Sequence, residues 1–164
     1  MIDIKKINSL DKSEFLSIFG NVFEKSKWIS EKVFDKKPFK SLETFFSKII
    51  EIYENSDNQT ILEIFNLHPE LVVEKKLTAN SEAEQSKANL KECTPEEFNE
   101  FKKLNIEYKK KFNFPFIIAV KGKNKNEILN YFRKRINNSL DEEFFEAKKQ
   151  VKKIATLRLE EIIK

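Results

Sequence analysis

The sequence predicts an all-α protein, a compact multi-helix bundle with one short extended apolar segment at residues 114–120. Two observations carry this. Apolar residues recur at i, i+3, i+4 and i+7 over most of the chain, and N-capping residues precede several of the runs that carry them. The one apolar run too short for a helix finds no visible partner strand, so nothing argues for a sheet.

Helices are expected over residues 13–19 and 26–34. Leu42, Phe45, Phe46, Ile49, Ile50 and Tyr53 then trace one buried helix face behind Ser41 as N-cap. Another helix is expected over 58–67, and Pro69 reads as the first residue of a further short one. Ser81 and Glu84 have the spacing of a capping box and would open a helix at that point. Thr94, Pro95 and Glu97 combine an N-cap, a proline at the first helical position and a capping-box glutamate, ahead of Phe98, Phe101, Leu104 and Tyr108, in a helix running to about Phe112. Phe114, Pro115, Phe116, Ile117, Ile118, Ala119 and Val120 form the extended segment, whose backbone groups must meet other helices, water or a ligand. Asn124 and Glu127 start a helix carrying Ile128, Leu129, Phe132 and Ile136, and the last helix runs from about Leu140 to the C-terminus.

A length of 164 residues suits one domain, 1–164, with a core rich in its sixteen phenylalanines. The net charge of +4 comes from lysines interspersed with nearly as many acids, the pattern of a solvated surface and not of a nucleic-acid stripe. No nucleic-acid partner is expected. The single cysteine, Cys93, excludes an internal disulfide framework and a cysteine-based zinc site, and fits a reducing compartment. No run has the length of a membrane span, so a cytoplasmic location without a membrane partner is expected. With glycine only at Gly20 and Gly122, neither a phosphate-binding P-loop nor a Rossmann fingerprint can be written.

Three places look out of keeping with a plain helical core. The only histidine, His68, follows Ile61, Ile64 and Phe65 at seven, four and three residues and precedes Pro69, which disfavours continued helix. It would stand at a break between helices, as a structural imidazole bonded to a carbonyl or as an acid/base group near neutrality. Arg158 lies on the apolar stripe of Phe144, Ala147, Val151, Ile154, Ala155 and Ile162. A buried guanidinium needs a carboxylate, from the protein or from an anionic ligand, and both remain open here. The third place is Ser81-Glu82-Ala83-Glu84-Gln85, which either only caps its helix or also presents N–H groups and side chains to a ligand.

Taken in order, Phe19-Gly20-Asn21-Val22-Phe23-Glu24-Lys25-Ser26, Pro38-Phe39, His68-Pro69-Glu70-Leu71, Leu77-Thr78, Ser81-x-x-Glu84-Gln85, Phe112-x-Phe114-Pro115-Phe116-Ile117-Ile118 and Lys153-Ile154-Ala155-x-Leu157-Arg158-Leu159 resemble the 2-oxo-4-hydroxy-4-carboxy-5-ureidoimidazoline (OHCU) decarboxylases of urate degradation. The resemblance spans nearly the whole chain. It implies an all-α fold, often dimeric, that converts an anionic ureidoimidazoline to (S)-allantoin and CO2 with no metal or organic cofactor. It also implies His68 and Glu84 as catalytic residues, and Pro69, Ser81, Glu82, Ala83, Gln85, Phe116, Ile117, Ile118, Ala119, Val120 and Arg158 as the substrate pocket. The chain departs from the family at Val72-Val73 and at Ala88-Asn89, where members usually have Ala-Gly. Two other functions remain open at this point: a non-enzymatic helical binding module with a lysine-rich surface, and a related small-acid lyase on the same fold.

Overall fold

The computed structural model describes residues 2–72 and 77–164. Among them the helices are α1 (Ile4–Ser9), α2 (Lys12–Phe19), α3 (Lys27–Phe34), α4 (Leu42–Glu54), α5 (Asn58–Leu67), α6 (Ala79–Lys87), α7 (Pro95–Phe112), α8 (Lys125–Arg135) and α9 (Leu140–Ile163), with no strand among the described residues. None of these helices is long and apolar enough to cross a membrane.

The capping chemistry read from sequence holds at most helix starts. Ser41 accepts the Thr44 N–H, and Thr94 with Glu97 and Asn124 with Glu127 form complete capping boxes. Two starts differ from expectation. Helix α1 was not expected, because its six residues give too short an apolar pattern; Asp3 caps it and Ile7 alone is buried. Helix α6 starts earlier than the Ser81 capping box requires. Its cap is Thr78, whose hydroxyl accepts the Ser81 N–H at 3.3 Å, so Ser81 is a buried residue inside the first turn. The short helix expected at Pro69 does not form either, and residues 69–72 follow an irregular path. Val73 lies outside the described residues.

The chain divides into two compact units, residues 1–67 with 151–164, and residues 68–150. In the first, α2 packs on α3 and α3 on α4. Its core is aromatic: Phe45, fully buried, has ring centroids of Phe19, Phe39 and Phe15 at 4.9, 5.2 and 6.0 Å, in the tilted and edge-on arrangements that suit aromatic quadrupoles. Phe23 stacks on Tyr53 at 4.8 Å. In the second unit, α7 packs on α8, and Tyr108 is ringed by Phe112, Phe116 and Phe132 at 4.5, 5.4 and 5.7 Å. Phe116 lies flat on Phe132 at 3.9 Å, which draws the extended segment onto α8. Within α9 the buried line runs through Glu143, Ala147, Val151, Ile154, Ala155, Arg158 and Leu159; Phe144 and Ile162 are only half-buried.

Replacing Phe45 by Ala removes the ring that the other three share. It is expected to cost about 3–5 kcal/mol in urea unfolding, whereas Phe145→Ala, at a side chain 65% exposed, should stay within about 0.5 kcal/mol.

Candidate active site

His68 is the first residue after α5 and is 8% exposed. Pro69 follows it, as expected of a helix stop. The next residues leave helical geometry while partly buried, so their backbone groups need partners that no helix supplies. Side-chain amides provide them. The Gln85 Nε2 donates to the Glu70 carbonyl at 3.3 Å, its Oε1 accepts from the Val72 N–H at 3.2 Å, and Asn105 Nδ2 donates to the Leu71 carbonyl at 2.9 Å. Gln85 thus works like a strand edge, exchanging one donor and one acceptor with residues two apart, and ties the His68 segment to α6.

Val72 has φ 54°, in the left-handed region that a β-branched residue avoids. Holding it there costs on the order of 1–3 kcal/mol, which the surrounding hydrogen bonds have to offset. The second departure from the family pattern is harmless by comparison. The Asn89 N–H donates to the Ser86 carbonyl at 3.0 Å and the Leu90 N–H to the Gln85 carbonyl at 3.1 Å, the two bonds of a Schellman end, with Asn89 at φ 57°. Asparagine is the best substitute for glycine at that position.

On α6, Ser81 and Gln85 are buried, four residues apart on one face; Glu84 is half-buried beside them, and Glu82 and Ala83 are exposed. The Glu82 carboxylate bonds the Lys91 ammonium at 2.8 Å, which holds its pKa below the usual range. Because the helix begins at Thr78, the Glu82 N–H is already bonded to the Thr78 carbonyl at 2.9 Å. The N–H groups that a helix start at Ser81 would have offered are therefore not presented there.

The segment carrying Phe116, Ile117, Ile118, Ala119 and Val120 is neither helix nor strand and is buried throughout, as its composition implies. Much of its backbone already has a protein partner. Arg135 Nη1 donates to the Ile117 carbonyl at 2.7 Å, Gln150 Oε1 accepts the Ala119 N–H at 2.9 Å, and Lys123 Nζ donates to the Ala119 carbonyl at 2.9 Å. Behind it is a buried polar cluster. Arg135 lies over the Phe116 ring at 4.4 Å and pairs through Nε with Glu143 Oε1 at 2.8 Å; the same oxygen accepts from Tyr108, and Glu143 Oε2 accepts from Asn138 at 2.9 Å. Burial first, and then the bond to Glu143, push the Tyr108 hydroxyl well above its ordinary pKa, so it stays a donor.

Arg158, in the other unit, is 2% exposed, and its partner is a protein carboxylate. Its Nη2 donates to Glu24 Oε2 at 2.9 Å and its Nη1 to the Asn21 carbonyl at 3.0 Å. Glu24 is fully buried and was not singled out from sequence. The signal was present, an acid between Phe23 and Lys25 in the loop from α2 to α3, but only three-dimensional pairing across 134 positions reveals it. No group of acidic, cysteine and histidine side chains able to hold a metal occurs among the described residues.

The family model for OHCU decarboxylase matches residues 8–160. A 2-oxo-4-hydroxy-4-carboxy-5-ureidoimidazoline decarboxylase of Halalkalicoccus jeotgali is 33% identical over 161 residues, covering 98% of this chain and 92% of that protein. A uric acid degradation bifunctional protein of Bacillus sp. strain TB-90 is 38% identical over 164 residues, covering 100% of this chain and 33% of that protein. Among solved structures, an OHCU decarboxylase crystallised in the presence of (S)-allantoin has a TM-score of 0.72 at 25% identity, covering 93% of this chain and 99% of that one.

Removing one partner of the Glu24–Arg158 pair leaves the other charged and buried. Glu24→Leu is expected to destabilise by about 3–5 kcal/mol in urea unfolding, with Glu24→Gln, which keeps an acceptor, falling between it and the native chain.

Proposed function

The chain belongs to the OHCU decarboxylase family, and from that premise we propose that it converts 2-oxo-4-hydroxy-4-carboxy-5-ureidoimidazoline to (S)-allantoin and CO2, with His68 and Glu84 as its catalytic pair. The observation that carries the reading is the extent of the match. Residues 8–160 take in His68, Ser81, Glu84, Gln85, the extended segment and Arg158 together, so every group the reaction is assigned lies inside the matched region.

The chemistry asks little of the protein beyond placement and one proton. When the bond to the carboxylate breaks, its electron pair runs into the adjacent carbon–nitrogen double bond of the ring. The pair from the carboxylate bond joins the two ring carbons and the imine pair moves onto nitrogen. A proton then adds to the former imine carbon while the neighbouring hydroxyl becomes the carbonyl and its proton neutralises the nitrogen, and the face that is protonated sets the configuration of the product. An imidazole titrates near neutrality and is suited to deliver that proton. His68 is the general acid/base in this scheme, and Glu84 orients it.

Binding falls to the other residues. The family resemblance gives Arg158 an anionic or carbonyl oxygen of the substrate, which its planar fork suits as lysine does not, and within its own unit Glu24 and the Asn21 carbonyl hold the guanidinium. Ser81, Pro69 and Gln85 line the ring. The backbone of Phe116, Ile117, Ile118, Ala119 and Val120 lies against the substrate, held by Arg135, Gln150 and Lys123.

With substrate generated in situ from urate by the two preceding enzymes, His68→Ala should lose stereoselective allantoin formation while keeping its helical circular dichroism. Arg158→Lys should lose it too, since a point charge does not replace the fork. Full activity in the His68 variant would end the proton-transfer assignment.

A further inference from the structure

Helix α7 presents Phe101, Leu104, Tyr108 and Phe112 to the core, and Asn105 lies on the same face at 5% exposure. An amide in that position is out of keeping with its neighbours. Its Nδ2 reaches back across 34 residues to the Leu71 carbonyl, while its Oδ1 is buried with no hydrogen-bond partner among the described residues. Among the described residues one neutral hydrogen bond does not outweigh a buried acceptor without one, a balance by which stability alone does not account for asparagine here. Its return has to be sought at Leu71.

Leu71 is three residues from His68, and the chain between is short and stiff. Pro69 fixes one backbone angle, Gln85 grips the Glu70 carbonyl and the Val72 N–H, and Asn105 takes the carbonyl between them. The grip opposes a real tendency to move, because Val72 stands at φ 54° and would relax to a β-region angle if released. We propose that Asn105 is a positioning residue for His68: its amide, acting with Gln85, pins residues 70–72 and thereby fixes where the imidazole stands. This rests on the reading of His68 as the proton-transfer residue. A proton donor has to be held within a few tenths of an ångström of its productive place, and a segment held by two amides from two different helices, α6 and α7, meets that need.

The test uses the full chain without a histidine tag, so that His68 is the only imidazole in the sample. Asn105→Leu removes both the donor to Leu71 and the orphaned acceptor. The expected result is a kcat at least tenfold lower with KM within about twofold, an unfolding midpoint close to that of the native chain, and displaced NMR resonances of the single histidine ring. If Asn105→Leu does not fold, the smaller Asn105→Ala removes the same two groups without burying a charge and carries the same expectation for kcat, KM and the histidine resonances. Native kcat in a folded variant, or unmoved histidine resonances, would overturn the positioning role. His68→Ala separates the two readings: inactive His68→Ala beside a fully active Asn105 variant defeats only the positioning role, whereas fully active His68→Ala defeats the proton-transfer assignment and the positioning role with it.

Discussion

A buried stretch of chain that is not helical has to find partners for its N–H and C=O groups, and in this protein side chains supply them. The two segments assigned to the reaction are both of this kind. Residues 70–72 are held by the amides of Gln85 and Asn105, and residues 117–119 by Arg135, Gln150 and Lys123. Helices close their own hydrogen bonds and leave nothing to spare in their middles. A helical protein that must present backbone to a ligand, or carry an imidazole at a fixed place, does so where helices stop, and then has to pin the loose chain.

The arginines follow the same logic. All three find carboxylates: Arg133 with Glu100 at the surface, Arg135 with Glu143, and Arg158 with Glu24. The two buried ones each spend a further N–H on a backbone carbonyl, Ile117 for Arg135 and Asn21 for Arg158. A planar fork with five donors serves carboxylate and carbonyl at once, which an ammonium group does with far less directional control. This explains why a chain that uses lysine almost everywhere else keeps arginine at these positions.

Most of the fold was legible in the sequence, because helices α2 to α5 and α7 to α9 carry apolar periods, and α4, α7 and α8 also carry caps whose chemistry is local. Helix α1 was not, being too short to show a period, and the start of α6 was misplaced because Thr78 and Ser81 are both competent caps and only the observed Thr78 bond distinguishes them. The candidate site was legible in its parts. His68 announced itself as a lone imidazole beside a proline, Arg158 as a charge on an apolar stripe, and residues 114–120 as apolar chain without a period. What the sequence did not show were the partners. Glu24, Asn105 and Glu143 act over separations of 134, 34 and 35 residues, and no local rule connects such positions.

In the proposed reaction this chain delivers one proton to one face of a decarboxylating ring. Its most direct test is the optical activity of the product as it forms, with the substrate released in situ from urate in the presence of the purified chain. Rapid appearance of (S)-allantoin in excess is expected. Racemic allantoin appearing at the spontaneous rate would contradict it.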